Sequence, residues 1–263
     1  MAYTHILTEV DPPVGRLILN RPERRNALSL EAMEEIAAAL DELSTTSGVS
    51  AIVIEARGPA FSAGHDIGEM LDRDPEFYDR LFAQCTVMMQ RIRAVPQPVI
   101  ARVHGVATAA GCQLVASCDL VVAEVGTRFA TPGVRIGLFC STPMVPISRA
   151  VGQKRAMEML LTGEPISVDV AKDWGLVNRI APEGELDEVV GELVGEITRW
   201  SPDVIGIGKD AFYRQEALDE RAAYDVTMPV MAANAAGADA QEGFAAFLEK
   251  RRPVWSHERA PDA

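Results

Sequence analysis

Apolar positions alternate along the chain between short β-branched runs and longer stretches of helical spacing. VGRLILN at 14–20 reads as a strand, with RPERRN at 21–26 as the loop behind it. Ser29 then reads as a helix cap, and Leu30, Met33, Ile36, Ala37 and Leu40 fall on one helical face. SAIVIEA at 50–56 is a buried strand, followed by a Gly/Pro loop at 57–64 and a helix from about Pro75 to Arg93. PVIARVHG at 98–105 and DLVVAE at 119–124 are further strands, with TAAGCQLVAS at 108–117 as a helix between them. Strands that are apolar on both faces need helices on both sides, so the fold class is α/β. Beyond about Gly152 helical patterns dominate, and a helical tail covers about Pro202 to Lys250. We divide the chain into an α/β core at 1–200 and a helical extension at 201–263, with no low-complexity linker between them.

Composition narrows the partners. Twenty-five Lys and Arg stand against 38 Asp and Glu, a net charge of −13. A phosphate backbone or an anionic membrane surface selects the opposite sign, so neither nucleic acid nor membrane is expected as a partner. No apolar run is long enough to span a bilayer. The first residues lack the pattern of a leader, and a cytoplasmic location is expected. Cysteines 85, 112, 118 and 140 form no C-x-x-C pair, and histidines 5, 65, 104 and 257 are dispersed, so no metal site is expected.

Three stretches carry possible chemistry. GIGKDA at 206–211 fits a loose dinucleotide pattern, but it follows Ser201 and Pro202, a helix start, so we read it as helix. FSAGHDIGEM at 61–70 places small residues where a strand turns into a short helix, with Asp66 as its cap. HGVATAAGCQLVASCD at 104–119 is a second such junction. Free N–H groups at two such junctions can converge on one oxygen that becomes negative during reaction, such as a thioester enolate.

These two segments resemble the crotonase superfamily, the enoyl-CoA hydratase/isomerase family. RPERRNALS, ATPGVRIGL, RAVGQKRAMEMLLTGEPIS, AKDWGLVNRI and EGFAAFLEKRRPVW extend the resemblance, in order, over nearly the whole chain. It implies a spiral of β-β-α repeats with a helical C-terminal region that builds homotrimers, often paired into hexamers. It implies an acyl-CoA thioester as ligand, with coenzyme A as part of the substrate and no separate cofactor. The oxyanion donors it implies are the backbone N–H groups of His65 and Ala110. It also assigns Ala63 and the segment His65, Asp66, Ile67 and Gly68 to coenzyme A contact. Arg24, Arg25 and Lys250 would sit near its phosphates, and Phe247 would cover the ligand. A basic helix end with an apolar face accounts for Lys250 and Phe247 equally well.

The departures bear on the reaction. Hydratases of this family use two glutamates; here those positions hold Gln113 and, twenty residues later, Gly133. Hydration needs a base for water and an acid for the α-carbon, and loss of such help costs about 10²–10⁴ in rate per group. Gln113 either holds a water or fills the space of the glutamate. The third carboxylate of the dienoyl-CoA isomerase branch corresponds to Ser141. Ala110 stands where the family has glycine, which an L residue tolerates only at negative φ. The His65 imidazole and Cys140 are the remaining groups with proton chemistry, although a lone cysteine is usually a small buried hydrophobe. Glu69 reads as a solvated face residue. The chain resembles a branch lacking both glutamates, the enoyl-CoA hydratase domain-containing proteins. Three functions follow: a hydratase-like acyl-CoA enzyme with altered or weak hydration, a malonyl-type acyl-CoA decarboxylase, or a non-catalytic acyl-CoA-binding protein.

Overall fold

The computed structural model describes residues 3–258. The chain opens with β1 (Ile6–Asp11) and β2 (Val14–Leu19), paired antiparallel with Ile6 opposite Leu19. β1 is absent from the sequence reading, because only Ile6 of its six residues is buried and no apolar run marks it. The Ser29 hydroxyl accepts the Ala32 N–H at 3.2 Å and starts α1 (Leu30–Thr45), whose Leu30, Met33, Ile36, Ala37 and Leu40 are all buried. β3 (Ala51–Ala56) then leads through the 57–66 loop into α2 (Ile67–Met70), and α3 (Pro75–Ala94) follows.

The next segments alternate strand, short strand and helix. They are β4 (Val99–Val103), β5 (Val106–Thr108) and α4 (Ala110–Ser117), then β6 (Leu120–Glu124) and β7 (Arg128–Ala130). α5 (Met144–Val151), α6 (Gln153–Thr162), β8 (Ile166–Ser167), α7 (Val168–Trp174), β9 (Arg179–Ala181) and α8 (Leu186–Thr198) complete the core. The long strands build one six-stranded sheet in the order β1-β2-β3-β4-β6-β9, parallel except for β1. The short strands build a second sheet, β5-β7-β8. Isolated bridges from Ser62 to Ala107 and from Leu28 to His65 carry the second layer on into the two earlier repeats. Successive repeats thus give one strand to each layer, which winds the chain as a spiral of β-β-α units.

Both faces of the large sheet are covered. Ile52 and Ile54 join the main core with residues of α1, α3 and α4. Ala51, Val53, Ile100 and Val122 face the other way, onto Leu186, Val190, Leu193 and Val194 of α8. The strands are apolar on both sides for this reason.

Three helices follow: α9 (Pro202–Gln215), α10 (Glu220–Ala235) and α11 (Ala238–Glu249). GIGKDA lies inside α9, whose cap is Ser201, so the helical reading of that motif is the correct one. α9 is tied to the core by Lys209, whose ammonium contacts the Asp119 carboxylate at 2.7 Å and the carbonyls of Ile92 and Gln97. Tyr213 donates to the same carboxylate at 2.6 Å. The tail returns through Asp239, which accepts from Ser201 and from both the N–H and the hydroxyl of Ser256. Tyr224, Met228 and Met231 of α10, and Phe247 and Leu248 of α11, remain exposed.

Candidate functional site

The site forms where the two small-residue junctions cross. Ser62 N–H donates to the Val106 carbonyl and the Ser62 carbonyl accepts from Thr108, which lays the 61–65 segment along β5. Leu28 N–H donates to the Gly64 carbonyl at 2.7 Å, and Asp66 N–H returns to Leu28. The approach is too close for larger residues. A Cβ on Gly111 would meet the Ser62 carbonyl oxygen at 2.5 Å, and one on Gly64 would lie 2.8 Å from the Ala109 methyl and 3.2 Å from the Ala110 nitrogen. Asn26, 2% exposed, stitches the loops together. Its amide donates to the carbonyls of Arg57 and Ala60, its side-chain oxygen accepts Arg21 N–H, and its carbonyl accepts the Ser62 hydroxyl. A single polar residue in a loop carries no periodic signal, and sequence reasoning missed its role.

His65 and Ala110 line one cavity of about 410 Å³. Their backbone N–H groups donate to no group among the described residues. Ala110 has negative φ, as an L residue requires. The strain falls one residue earlier, at Ala109, with φ 50° and ψ −119°. That region is glycine territory and costs an alanine about 1–3 kcal/mol. It turns the chain from β5 into α4 and leaves the first N–H groups of the helix facing the cavity.

The wall is largely apolar and, among the described residues, carries no carboxylate. Ile67, Phe82, Ile136, Leu138 and Phe139 line it together with Ala63, Gly133, Cys140 and Ser141. The cation on this wall, Arg135, is held in an ion pair with Glu164. The His65 ring stands edge-on to Phe82 with centroids 5.4 Å apart, and its Nε2 is sealed without a partner. Burial pushes its pKa down to about 4, so the imidazole is neutral at pH 7. Burial pushes the Cys140 thiol up, so it keeps its proton.

The two positions of the missing glutamates line adjoining cavities. Gly133 lines the cavity, where a Cβ would meet the Leu138 carbonyl oxygen at 2.0 Å and the Cys140 sulfur at 2.8 Å. The 137–140 loop therefore fills the space beside Gly133. Gln113 lies on α4, 4% exposed, and lines a neighbouring cavity of about 320 Å³ instead. Its side-chain oxygen accepts the Cys85 thiol at 3.7 Å.

Other expected contacts separate in the same way. Ala63, His65 and Ile67 line the cavity, whereas Asp66 and Gly68 do not. Asp66 caps α2 through Gly68 N–H and pairs with Arg21 at 3.0 Å. Glu69 is not simply solvated: it accepts the Leu30 N–H at 2.9 Å and so caps α1. Arg25 lines a cavity of about 270 Å³ that shares Ala63 with the main one; Arg24 is exposed and lines neither. Phe247, 83% exposed, and Lys250 lie on or beside α11 and line neither cavity within one chain.

A sequence profile of the enoyl-CoA hydratase/isomerase family matches residues 10–258. The chain belongs to that family. It is 45% identical over 246 residues to the human mitochondrial enoyl-CoA hydratase domain-containing protein 3, covering 93% of this chain and 81% of the relative. The crystal structure of human enoyl-CoA hydratase domain-containing protein 3 superposes with a TM-score of 0.93 at 43% identity, covering 96% of this chain and all of that one. An enoyl-CoA hydratase from Mycobacterium smegmatis superposes with a TM-score of 0.93 at 48% identity, covering 96% and 99% of the two chains. The crotonase fold expected from the motifs is thus the fold observed, helical C-terminal region included. The mitochondrial location in the human relative's name weighs against the cytoplasmic expectation.

Proposed function

We propose that this family member binds an acyl-CoA thioester with the thioester oxygen between the His65 and Ala110 N–H groups, and stabilises the enolate that forms there. One observation carries the reading: among the described residues, two unpartnered N–H groups open onto a largely apolar cavity with no carboxylate on its wall. Donors placed where charge develops are the part of such catalysis that needs no side chain. The two-glutamate hydration of the family has no acid or base here. Coenzyme A enters as part of the substrate, and no separate cofactor is invoked. The exposed apolar residues of α10 and α11 support a homotrimer or a dimer of trimers.

A second reading is favoured by the cavity's electrostatics. The carboxylate of a malonyl-type thioester would meet apolar side chains, a neutral His65 and an Arg135 already held by Glu164. Breaking its C–C bond releases CO₂ and sends the electron pair into the thioester, where the two N–H groups hold the enolate oxygen. Solvent then protonates the α-carbon, so no protein base is required.

Calorimetric titration with acetyl-CoA, crotonyl-CoA hydration followed by loss of enoyl absorbance, and CO₂ release from malonyl-CoA and methylmalonyl-CoA test these readings together. Binding with hydration well below the ordinary range of about 1–10³ s⁻¹ is expected. Hydration within that range refutes the missing-base argument, and absence of acetyl-CoA binding refutes the ligand. CO₂ release separates decarboxylation from pure binding.

A further inference from the structure

The structure assigns Gln113 a different task from the one its position implies: we propose that it recognises a carbonyl oxygen on the acyl chain, in a second chamber behind the thioester site. This deepens the acyl-thioester reading and rests on it. The two cavities meet at Ser141 and Thr142, which line both. An acyl group anchored at His65 and Ala110 and passing between those residues arrives beside Gln113. Gln113 is 4% exposed, yet its amide nitrogen donates to no group among the described residues and opens on the second cavity. Its oxygen is already engaged by the Cys85 thiol, which leaves the N–H₂ end as the one facing a ligand.

Gln90, which is exposed, and the half-buried Thr142 also line this cavity with side-chain donors that are unengaged among the described residues, so Gln113 is distinguished by its burial. Thr86 and Ser117 donate their hydroxyl protons to the carbonyls of Phe82 and Gln113, and Arg93 is held by Glu216 at 3.1 Å. The Gln113 amide nitrogen is not sealed, so it is open to a ligand oxygen in the cavity. A ketone matches, because it accepts without bringing a charge into a chamber walled by Met89, Val145 and Pro146. The first cavity is largely apolar and the second offers Gln113 as its buried free donor. The preferred substrate is therefore an acyl-CoA whose chain is apolar near the thioester and oxidised further along.

The test is calorimetric titration with acetyl-CoA, octanoyl-CoA and a series of oxo-octanoyl-CoAs that differ in the carbon bearing the ketone. For each protein the readout is the affinity ratio of oxo-octanoyl to octanoyl thioester, which cancels general effects on folding or coenzyme A binding. In the wild type one ketone position binds roughly three- to tenfold tighter than octanoyl-CoA, the effect of one added hydrogen bond. Gln113→Met brings that ratio to about one, and Gln113→Glu, which offers the ketone an acceptor instead of a donor, brings it below one. A flat wild-type series overturns the proposal without any variant, and so does a preference that survives in Gln113→Met. If neither acetyl-CoA nor octanoyl-CoA binds the wild type, the acyl-thioester reading fails first and takes this one with it.

Discussion

Placing a glutamate at position 133 is the obvious way to convert this protein into an ordinary hydratase, and its geometry predicts failure. A Cβ built on Gly133 lies 2.0 Å from the Leu138 carbonyl oxygen and 2.8 Å from the Cys140 sulfur. Comfortable heavy-atom contacts lie near 3.5–4.0 Å, so the first of these is short by about 1.5 Å. The nearer obstacle is backbone, and Leu138 N–H is bonded back to the Gly133 carbonyl at 3.0 Å, so the loop cannot yield by a rotamer change. Overpacking a filled site costs about 1–3 kcal/mol. With a carbonyl as the obstacle, Gly133→Ala alone falls at the upper end, about 3 kcal/mol. For a chain of this size that lowers Tm by about 6–12 °C.

Gly195→Ala is the matched control. Gly195 lies inside α8, and a Cβ added there would have no heavy atom within 4 Å, so alanine stabilises by about 1 kcal/mol. Urea denaturation and thermal melts of the two variants give the contrast directly. Hydration of crotonyl-CoA by a Gln113→Glu/Gly133→Glu protein should stay below the ordinary enzyme range, because the second carboxylate cannot enter without displacing the 137–140 loop. A Gly133→Ala protein within about 1 kcal/mol of wild type would refute the packing argument. Efficient hydration by the double glutamate variant would refute the claim that the loop excludes the base.

Two further perturbations probe the oxyanion loops. The His65 pKa is depressed from 6.5 to about 4, so as pH falls the unfolded chain takes up the proton first; stability is unaffected above about pH 6.5 and is lost toward pH 4, by about 2 kcal/mol at pH 5. His65→Leu removes that loss, and urea denaturation at pH 7 and pH 5 detects it; an unchanged pH dependence would contradict the buried neutral imidazole. Ala109→Gly relieves the positive φ, and the relief exceeds the added chain entropy of glycine, so stability rises by about 1 kcal/mol. A loss of stability in the same denaturation assay would mean that the alanine methyl contributes more to the wall than its backbone strain costs.

The parts of this molecule that are legible in its sequence are those with a repeating physical signal. α1 and α9 announce themselves through Ser29 and Ser201 and through apolar spacing, and the strands of the large sheet through runs apolar on both faces. The two junctions are legible because Gly64 and Gly111 are small where the chains nearly touch. β1 is not, since it is a half-exposed edge, and β5 and β7 are three residues long, too short for any period to show. The strain at Ala109 has no letter to mark it. The correspondence of positions 113 and 133 came from resemblance alone; Gln113 on α4 is turned toward Cys85 of α3, and Gly133 lies on the main wall.

The electrical silence of the cavity limits which steps it can accelerate. Every lining group that exchanges a proton near neutrality is held in its uncharged form: burial lowers His65 and raises Cys140. Arg135 keeps its charge but has it matched by Glu164. In the complex we propose, a bound acyl group feels one oriented field, from the His65 and Ala110 N–H groups and the start of α4 behind them. That field lowers the energy of negative charge on the thioester oxygen and does nothing for a proton in flight. It cannot help a water lose its proton, so hydration gains little. It can help a bond whose electrons flow toward the thioester, and it strengthens binding of any ligand that presents an electron-rich oxygen there. Under the proposed acyl-thioester reading the same frame would serve decarboxylation or binding, and the choice between them would lie in the acyl group rather than in the protein's acids and bases.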